Sequence, residues 1–372
     1  MKSLRAVQRS GFDKTLFFTA LVLVVIGVVM VFSASGVLAG ERYHQSLYFL
    51  IQQAAGAAVG LVLALLVMAL RKPLYLSPVI VYGLLVITVF LLALCYTMPA
   101  FRSANRWVVV AGLRFQPSEL AKISLVLFLA HFCERRRDRL SDPRTLIIPL
   151  GVSAALILLI LFEPDRSTAL IMAGLTGLML FLGGVRLRHL AVMAVAGTVL
   201  LGIQVARAGY SKDRVNEFLS AEKDLRGRSF QPHQAKLAIG SGGLLGVSLG
   251  QSTQKLYLPE AHTDFIFAIL GEETGLAGGI VTLGLLLLFA WRGLLISLRT
   301  PDPAHKMVAA GLTTLIVSQA FINIAVVLGI VPVSGVSLPF LSFGRSSLLC
   351  NFLAVGILLN ISRRKGDNGV RV

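Results

Sequence analysis

Apolar runs of about twenty residues recur along this chain, and no other feature limits its fold so sharply. A run such as LFFTALVLVVIGVVMVF (16–32) is about long enough, as a helix, to cross the ~30 Å hydrocarbon layer of a bilayer. Inside that layer every backbone N–H and C=O must find a partner within the chain, which leaves helices or closed barrels. Runs of this length, without the two-residue alternation of a barrel strand, select helices. The chain is therefore expected to be an all-α polytopic membrane protein with almost no sheet. About ten transmembrane helices are expected, at 15–35, 47–70, 74–96, 117–133, 145–162, 168–184, 189–206, 264–291, 307–330 and 345–362. The first run has no A-x-A cleavage site in a signal-like setting and is read as a span, not a removed leader.

Charge then orients the bundle. Only 14% of the 372 residues are charged and 56% are hydrophobic, against about 25% charged in ordinary soluble chains. The net charge of +17 would suggest nucleic acid in a soluble protein. Here the basic residues sort to one side of the expected helices, so no nucleic-acid partner is expected. That side holds Lys2/Arg5/Arg9/Lys14, Arg71/Lys72, ERRRDRLSDPR (134–144), Arg186/Arg188, Arg292/Arg299/Lys306, and Arg363/Arg364/Lys365 with Arg371. By the positive-inside rule both termini, 1–14 and 363–372, are cytoplasmic tails of a single membrane domain, 1–372. The ERRRDR run is read as an orientation signal, not a lipid-headgroup site. Cys95, Cys133 and Cys350 fall at or in expected spans, form no C-x-x-C pair, and are read as small apolar fillers.

Two external segments exceed a plain linker. One is 97–116. The other is the large extracytoplasmic loop 207–263 between the seventh and eighth helices, of a length that usually signals function. Within it DRVNEFLSAEKD (213–224) has helical apolar spacing, and QPHQAKLAIGSGGLLGVSLG (231–250) is apolar and glycine-rich enough to re-enter the outer membrane face. The latter is not a dinucleotide loop: Leu245 stands where the last glycine of G-x-G-x-x-G belongs, and no strand precedes it.

Ionisable residues within spans are costly and mark function by default. Glu119 and Lys122 share one face of the fourth helix, three residues apart. They fit either an internal ion pair or a cation set to meet a phosphate, held by the carboxylate. Glu163, Asp165 and Arg166 fall in a tight turn around Pro164. Asp264 opens the eighth helix, with Thr263 as a possible cap. From Asp264 to Arg292 is ~42 Å of helix at 1.5 Å per residue, more than the bilayer core, so Asp264 lies near the outer interface. By position alone it is a helix-start carboxylate favouring the dipole. Glu272 and Glu273, beside Gly271, Gly275, Gly278 and Gly279, read as a buried structural pair on a closely packed helix. No zinc-like ligand spacing is present; a loosely held Mg²⁺ or Mn²⁺ on carboxylates and phosphates is the only metal the sequence leaves open. Charges gathered at the outer edge favour chemistry on a lipid-linked substrate over transport, whose site belongs near the midplane.

The motifs in order are VMVFSAS, NRWVVVAGLRFQPSELAK, FEPDRSTAL, QSTQKLYLPEAHTDFIFAILGEETG and GIVPVSGVSLPFLSFGRSSLL. Together they resemble the SEDS family (shape, elongation, division and sporulation), and within it the division branch, over nearly the whole chain. The resemblance implies a peptidoglycan glycosyltransferase that polymerises lipid II at the outer face of the bacterial cytoplasmic (inner) membrane. Its implied partners are a class B penicillin-binding protein and other division proteins. It implies Asp264 as the catalytic base. Glu119, Lys122, Arg106, Arg114, Lys255 and His262 are substrate-binding candidates, the cations neutralising a pyrophosphate leaving group; for His262, positioning the loop or tuning Asp264 is the other reading. The chain departs from the family pattern at Arg166 (P-D-R-S-T for P-D-F-G-T), at Arg345 (S-F-G-R-S-S for S-Y-G-G-S-S) and at Thr274 (G-E-E-T-G for G-E-E-L-G). A lipid II flippase and a non-catalytic division scaffold are the competing readings.

Overall fold

The structure, a computed structural model, describes residues 11–98, 106–110, 113–163, 165–192 and 230–364. The first and last tails beyond those limits, most of the expected seventh span (189–206) and the expected helical stretch 213–224 lie outside the described residues.

Short polar side chains set four of the helix starts. Asp13 accepts from the Leu16 amide to cap α1 (Lys14–Tyr43), and Ser77 caps α3 (Pro78–Cys95) with proline at its first position. Asp165 caps α6 (Arg166–Leu182), and Asp302 caps α9 (Pro303–Val327), again with proline following. Short polar side chains satisfy first-turn amides that have no intrahelical partner, and proline lacks the amide that would need one. The remaining helices are α2 (Tyr48–Ala69), α4 (Pro117–Arg135), α5 (Ile147–Phe162), α7 (Phe230–Ser241), α8 (Ile266–Arg299) and α10 (Arg345–Arg364). A two-stranded antiparallel hairpin, β1 (Val108–Val110) and β2 (Leu113–Phe115), is the only sheet among the described residues, and places Val109 opposite Arg114.

Seven helices among the described residues are long and apolar enough to cross a membrane: α1, α2, α3, the segment 143–162 that ends in α5, α8, α9 and α10. The expected ten are not reached among the described residues. With α6 as a shorter apolar helix, the fold is that of a multi-pass helical membrane protein.

Helix α4 is the hub. It packs against α3, α5, α6, α9 and α10 and is buried along nearly its whole length. That position explains its sequence. A helix carrying Glu119 and Lys122 does not face lipid but is surrounded by protein, where charges can be paired. The outer helices show the reverse pattern: Phe18, Val25, Val59, Leu66, Val86 and Phe90 on α1 to α3 are exposed, as lipid-facing side chains are.

One end of the bundle is tied by ions. Arg292 of α8 meets Asp13 at 2.6 Å, and the Asp13 amide donates to Ser362 Oγ of α10. One aspartate thus caps α1 and ties it to α8 and α10.

The structure corrects the reading of the eighth span. The expected single helix from Asp264 to Arg292 does not exist. Asp264 lies in a turn and the helix begins at Ile266, its N-cap position being Phe265 with no side-chain cap; Thr263 Oγ1 bonds to Glu260 instead. Helix α8 is also broken at Gly275, with φ 66° and ψ −166°. The first half, 266–274, is one short rod; the second, 276–299, continues to Arg299. The glycine-rich turn after α7 fills the break. Val247 and Ser248 donate to the carbonyls of Glu272 and Glu273, while Leu276 and Ala277 donate to the carbonyls of Gly243 and Leu244. Groups that a broken membrane helix would leave unpaired are satisfied from another part of the chain, the condition for irregular backbone at membrane depth.

Candidate active site

The site grows from the turn ahead of α8, and three other segments fix that turn. Asn323 of α9 donates through one side-chain amide to the Asp264 carbonyl at 2.8 Å and to the Val336 carbonyl at 2.7 Å. Ser342 Oγ donates to the Thr263 carbonyl at 2.6 Å and accepts from the Leu338 amide. The Phe343 amide donates to the His262 carbonyl. Gln53 of α2 in turn holds the 342–344 turn, donating to the Ser342 carbonyl at 3.1 Å and accepting from the Gly344 amide at 3.5 Å. The Asp264 carboxylate itself points toward Gly335: its Oδ2 would lie 3.7 Å from a Cβ built there. Asp264 is partly exposed, whereas the residues that follow, Phe265 to Glu273, are all buried. The turn that carries the acid is thus held at the rim of the core by bonds to its main chain, from Asn323 of α9 and from Ser342 and Phe343 ahead of α10.

His262, two residues before, is buried with its ring against Phe49 and Phe343, centroids 4.7 and 5.7 Å away. This packing is that of a turn anchor, one of the two roles the sequence allowed it.

Glu119 and Lys122 form the internal ion pair. Lys122 Nζ donates to Glu119 Oε1 at 2.7 Å and both side chains are nearly inaccessible. One turn before Glu119, the Gln116 amide donates to Ser346 Oγ at 3.1 Å, joining the start of α4 to the first turn of α10, just after the segment that holds Asp264. Lys255 is engaged by other groups. Its Nζ donates to the Gly250 carbonyl at 2.6 Å and lies 3.7 Å from Glu273 Oε1. Arg106 lies partly buried just before β1 and donates through Nε to the Glu163 backbone carbonyl at 2.9 Å. Arg114 on β2 is exposed. Arg345 opens α10 beside α2, its Cγ 3.6 Å from where a Cβ on Gly56 would stand.

Glu163 is fully buried at the end of α5, and neither carboxylate oxygen meets an N–H or O–H donor among the described residues. Burial first, then the negative charge of Asp165, pushes its pKa up to about 8; Cys95 and Arg106 oppose the shift. Glu163 therefore holds its proton at neutral pH.

Sequence reading passed over Asn323, Gln53 and the polar run Ser252–Thr253–Gln254. The first two are uncharged amides within apolar runs, and that was the available signal: such groups are buried only when bonded. No local pattern points to their partners, which lie far away in the chain.

The bundle and its broken helix define a polytopic membrane protein with a carboxylate poised at one end. The chain belongs to the FtsW, RodA and SpoVE family of cell cycle proteins, whose signature matches residues 13–367. It is 37% identical to the probable peptidoglycan glycosyltransferase FtsW of Geobacter metallireducens over 369 residues, covering 97% of each chain. It is 38% identical to the stage V sporulation protein E of Bacillus subtilis over 362 residues, covering 96% of this chain and 98% of the other. The rod shape determining protein RodA of Thermus thermophilus superposes with a TM-score of 0.70 at 28% identity, covering 95% of this chain and 97% of the other. A chain from a structure of a peptidoglycan synthase complex, described as coordinating polymerization and crosslinking, superposes with a TM-score of 0.80 at 27% identity, over 95% and 98%.

Proposed function

We propose that this protein is a peptidoglycan glycosyltransferase that polymerises lipid II into β-1,4 glycan strands at the outer face of the bacterial cytoplasmic membrane during cell division. Both termini are then cytoplasmic, and a class B penicillin-binding protein acts beside it to cross-link the strands. The observation that carries the reading is the Asp264 turn, fixed by Asn323 and Ser342 in a chain whose relatives bear the name peptidoglycan glycosyltransferase.

Asp264 acts as general base. Its carboxylate accepts the proton of a GlcNAc 4-hydroxyl as that oxygen bonds to the anomeric carbon of a MurNAc, and the carbon–oxygen bond to undecaprenyl pyrophosphate breaks. One displacement on an α-linked donor inverts the centre and needs a single base. The leaving pyrophosphate requires fixed positive charge. Arg114 on β2 is exposed and suited to that; Arg106, just before β1, is the second candidate and bonds through Nε to the Glu163 carbonyl. Lys122 and Lys255 are occupied by Glu119 and by Glu273 with the Gly250 carbonyl, and they support the fold of the site. A divalent cation on the pyrophosphate would supply the same charge. Among the described residues no three His, Cys, Asp or Glu side chains converge to hold one.

Translocation is the weaker reading. The polar path it requires would pass through Glu119, Lys122, Glu272 and Glu273, whose charged groups are bonded within the protein.

The test is polymerisation of lipid II by the purified protein with its cognate penicillin-binding protein. Wild type should lengthen glycan strands and Asp264→Ala should make none. Undiminished polymerisation by that variant removes Asp264 from the role of base, and an inactive wild-type complex removes the enzyme reading.

A further inference from the structure

Glu272 and Glu273 are both about 1% exposed, in the last turn before the break in α8. Two adjacent buried carboxylates are costly unless hydrogen bonds and cations compensate them. Here nearly all the compensation comes from one short stretch. Glu272 accepts from Ser252 Oγ, from the Thr253 amide at 3.0 Å and hydroxyl at 3.1 Å, and from the Gln254 amide at 3.3 Å. Glu273 accepts from the Ser252 amide at 3.4 Å and lies 3.7 Å from Lys255 Nζ. Among the described residues its partner outside this stretch is Ser33 of α1, whose hydroxyl donates at 2.6 Å. The same two residues lend their backbone carbonyls to the glycine-rich turn. Side chain and main chain together clamp 247–255 to the lower end of the 266–274 rod.

That rod carries Asp264 just beyond its other end. At 1.5 Å per residue it is ~13 Å long, and Ile266 to Glu273 are buried throughout. The loop 250–263 that feeds the Asp264 turn is likewise fastened at its start by Glu272 and Glu273 and at its end by Ser342 and Phe343.

We infer that Glu272 and Glu273 are positioning residues for Asp264: the carboxylate pair, with Ser33 of α1, fixes the height and angle of the short rod and the loop from which the acid is presented. Neither touches the reacting atoms. Misplacement of a catalytic group by 1 Å can cost about a hundredfold in rate, so a loosened clamp should be read at the chemistry and not in substrate affinity. The inference rests on the polymerase reading for its kinetic arm only.

The experiment uses the full-length protein with its penicillin-binding protein, in two arms. In the first, lipid II polymerisation by Glu272→Gln and Glu273→Gln should fall about tenfold in kcat with KM within twofold of wild type. Ser33→Ala should fall about threefold, and Ser33→Thr, which restores the hydroxyl, should recover the rate. In the second, amide hydrogen exchange should accelerate at 252–254 and also at 262–268 in each glutamine variant, and in Ser33→Ala should either of those not fold. Acceleration confined to 252–254, or unchanged kcat, overturns the inference. If wild type makes no glycan, the enzyme reading fails, and exchange at 262–268 still decides the positioning.

Discussion

Asn323 holds Asp264 by its backbone carbonyl. A single amide nitrogen, 2.8 Å from the Asp264 carbonyl and 2.7 Å from that of Val336, joins the turn before α8 to the segment that passes beneath the Asp264 carboxylate at Gly335. Two segments distant in sequence are thus registered by one side chain. Asn323→Ala leaves two carbonyls without that donor, at about 1–3 kcal/mol each where water cannot reach. The melting temperature in detergent should fall, and kcat for lipid II should fall about tenfold or more with KM little changed. A rate equal to wild type would show that the turn holds its place without this link.

The break in α8 depends on two glycines. A Cβ on Gly275 would lie 2.4 Å from the Gly246 amide nitrogen, and one on Gly246 would lie 2.1 Å from the Glu273 carbonyl oxygen. Gly275 also has a φ and ψ combination essentially reserved to glycine, which costs another residue about 1–3 kcal/mol before any clash. Gly275→Ala should therefore lower the melting temperature more than Gly284→Ala, a position of the second half with open space around it. Equal effects on thermal unfolding would argue that the turn does not occupy the break.

Glu163 gives the fold a pH dependence. Its ordinary value of 4.5 is raised to about 8 by burial and by Asp165, so the folded protein keeps a proton that the unfolded chain releases. Stability from this group is fully present below pH 4.5 and is lost as pH rises toward 8. Wild type should lose melting temperature across that window, and Glu163→Gln should flatten the slope and be the more stable of the two at pH 9. A wild-type slope unchanged in the variant would show that Glu163 does not carry it.

The Glu119–Lys122 pair predicts a non-additive cycle. Lys122→Met leaves a buried carboxylate without its cation, a loss of about 3–5 kcal/mol. Glu119→Leu with Lys122→Met removes both charges and should recover most of that loss. Thermal melts of the two single variants and the double decide it: a double variant no more stable than Lys122→Met would mean that the pair contributes little to the fold.

How much of this the sequence carried can be judged residue by residue. The spans were legible because bilayer thickness imposes a length on any helix that crosses it, and Asp13, Ser77 and Asp302 mark starts by capping chemistry that is local. The Glu119–Lys122 pair was legible for the same reason, three residues apart on one helix. Asp264 was found by resemblance, and its placement on a first helical turn was wrong: distant bonds from Ser342 and Asn323 hold it in a turn, where local propensity suggested a helix. Gly275 was read as a surface for a neighbouring helix. Its actual neighbour is the turn around Gly246, and no periodicity reveals which remote segment will donate to a broken helix. Lys255 misled in the same way. A lysine in an external loop reads as a free cation until the fold shows Glu273 beside it.

The order of the two pieces along the chain has a consequence for biogenesis. The turn that fills the break, 242–248, is translated before the break itself. At about 5–20 residues per second it leaves the ribosome seconds ahead of Gly275. When the interrupted helix reaches the bilayer, the segment that pairs with its exposed carbonyls and amides is already made. A circular permutation that moved 230–250 behind 299 would reverse that order while preserving the final contacts, and insertion, not folded stability, would be the step to suffer.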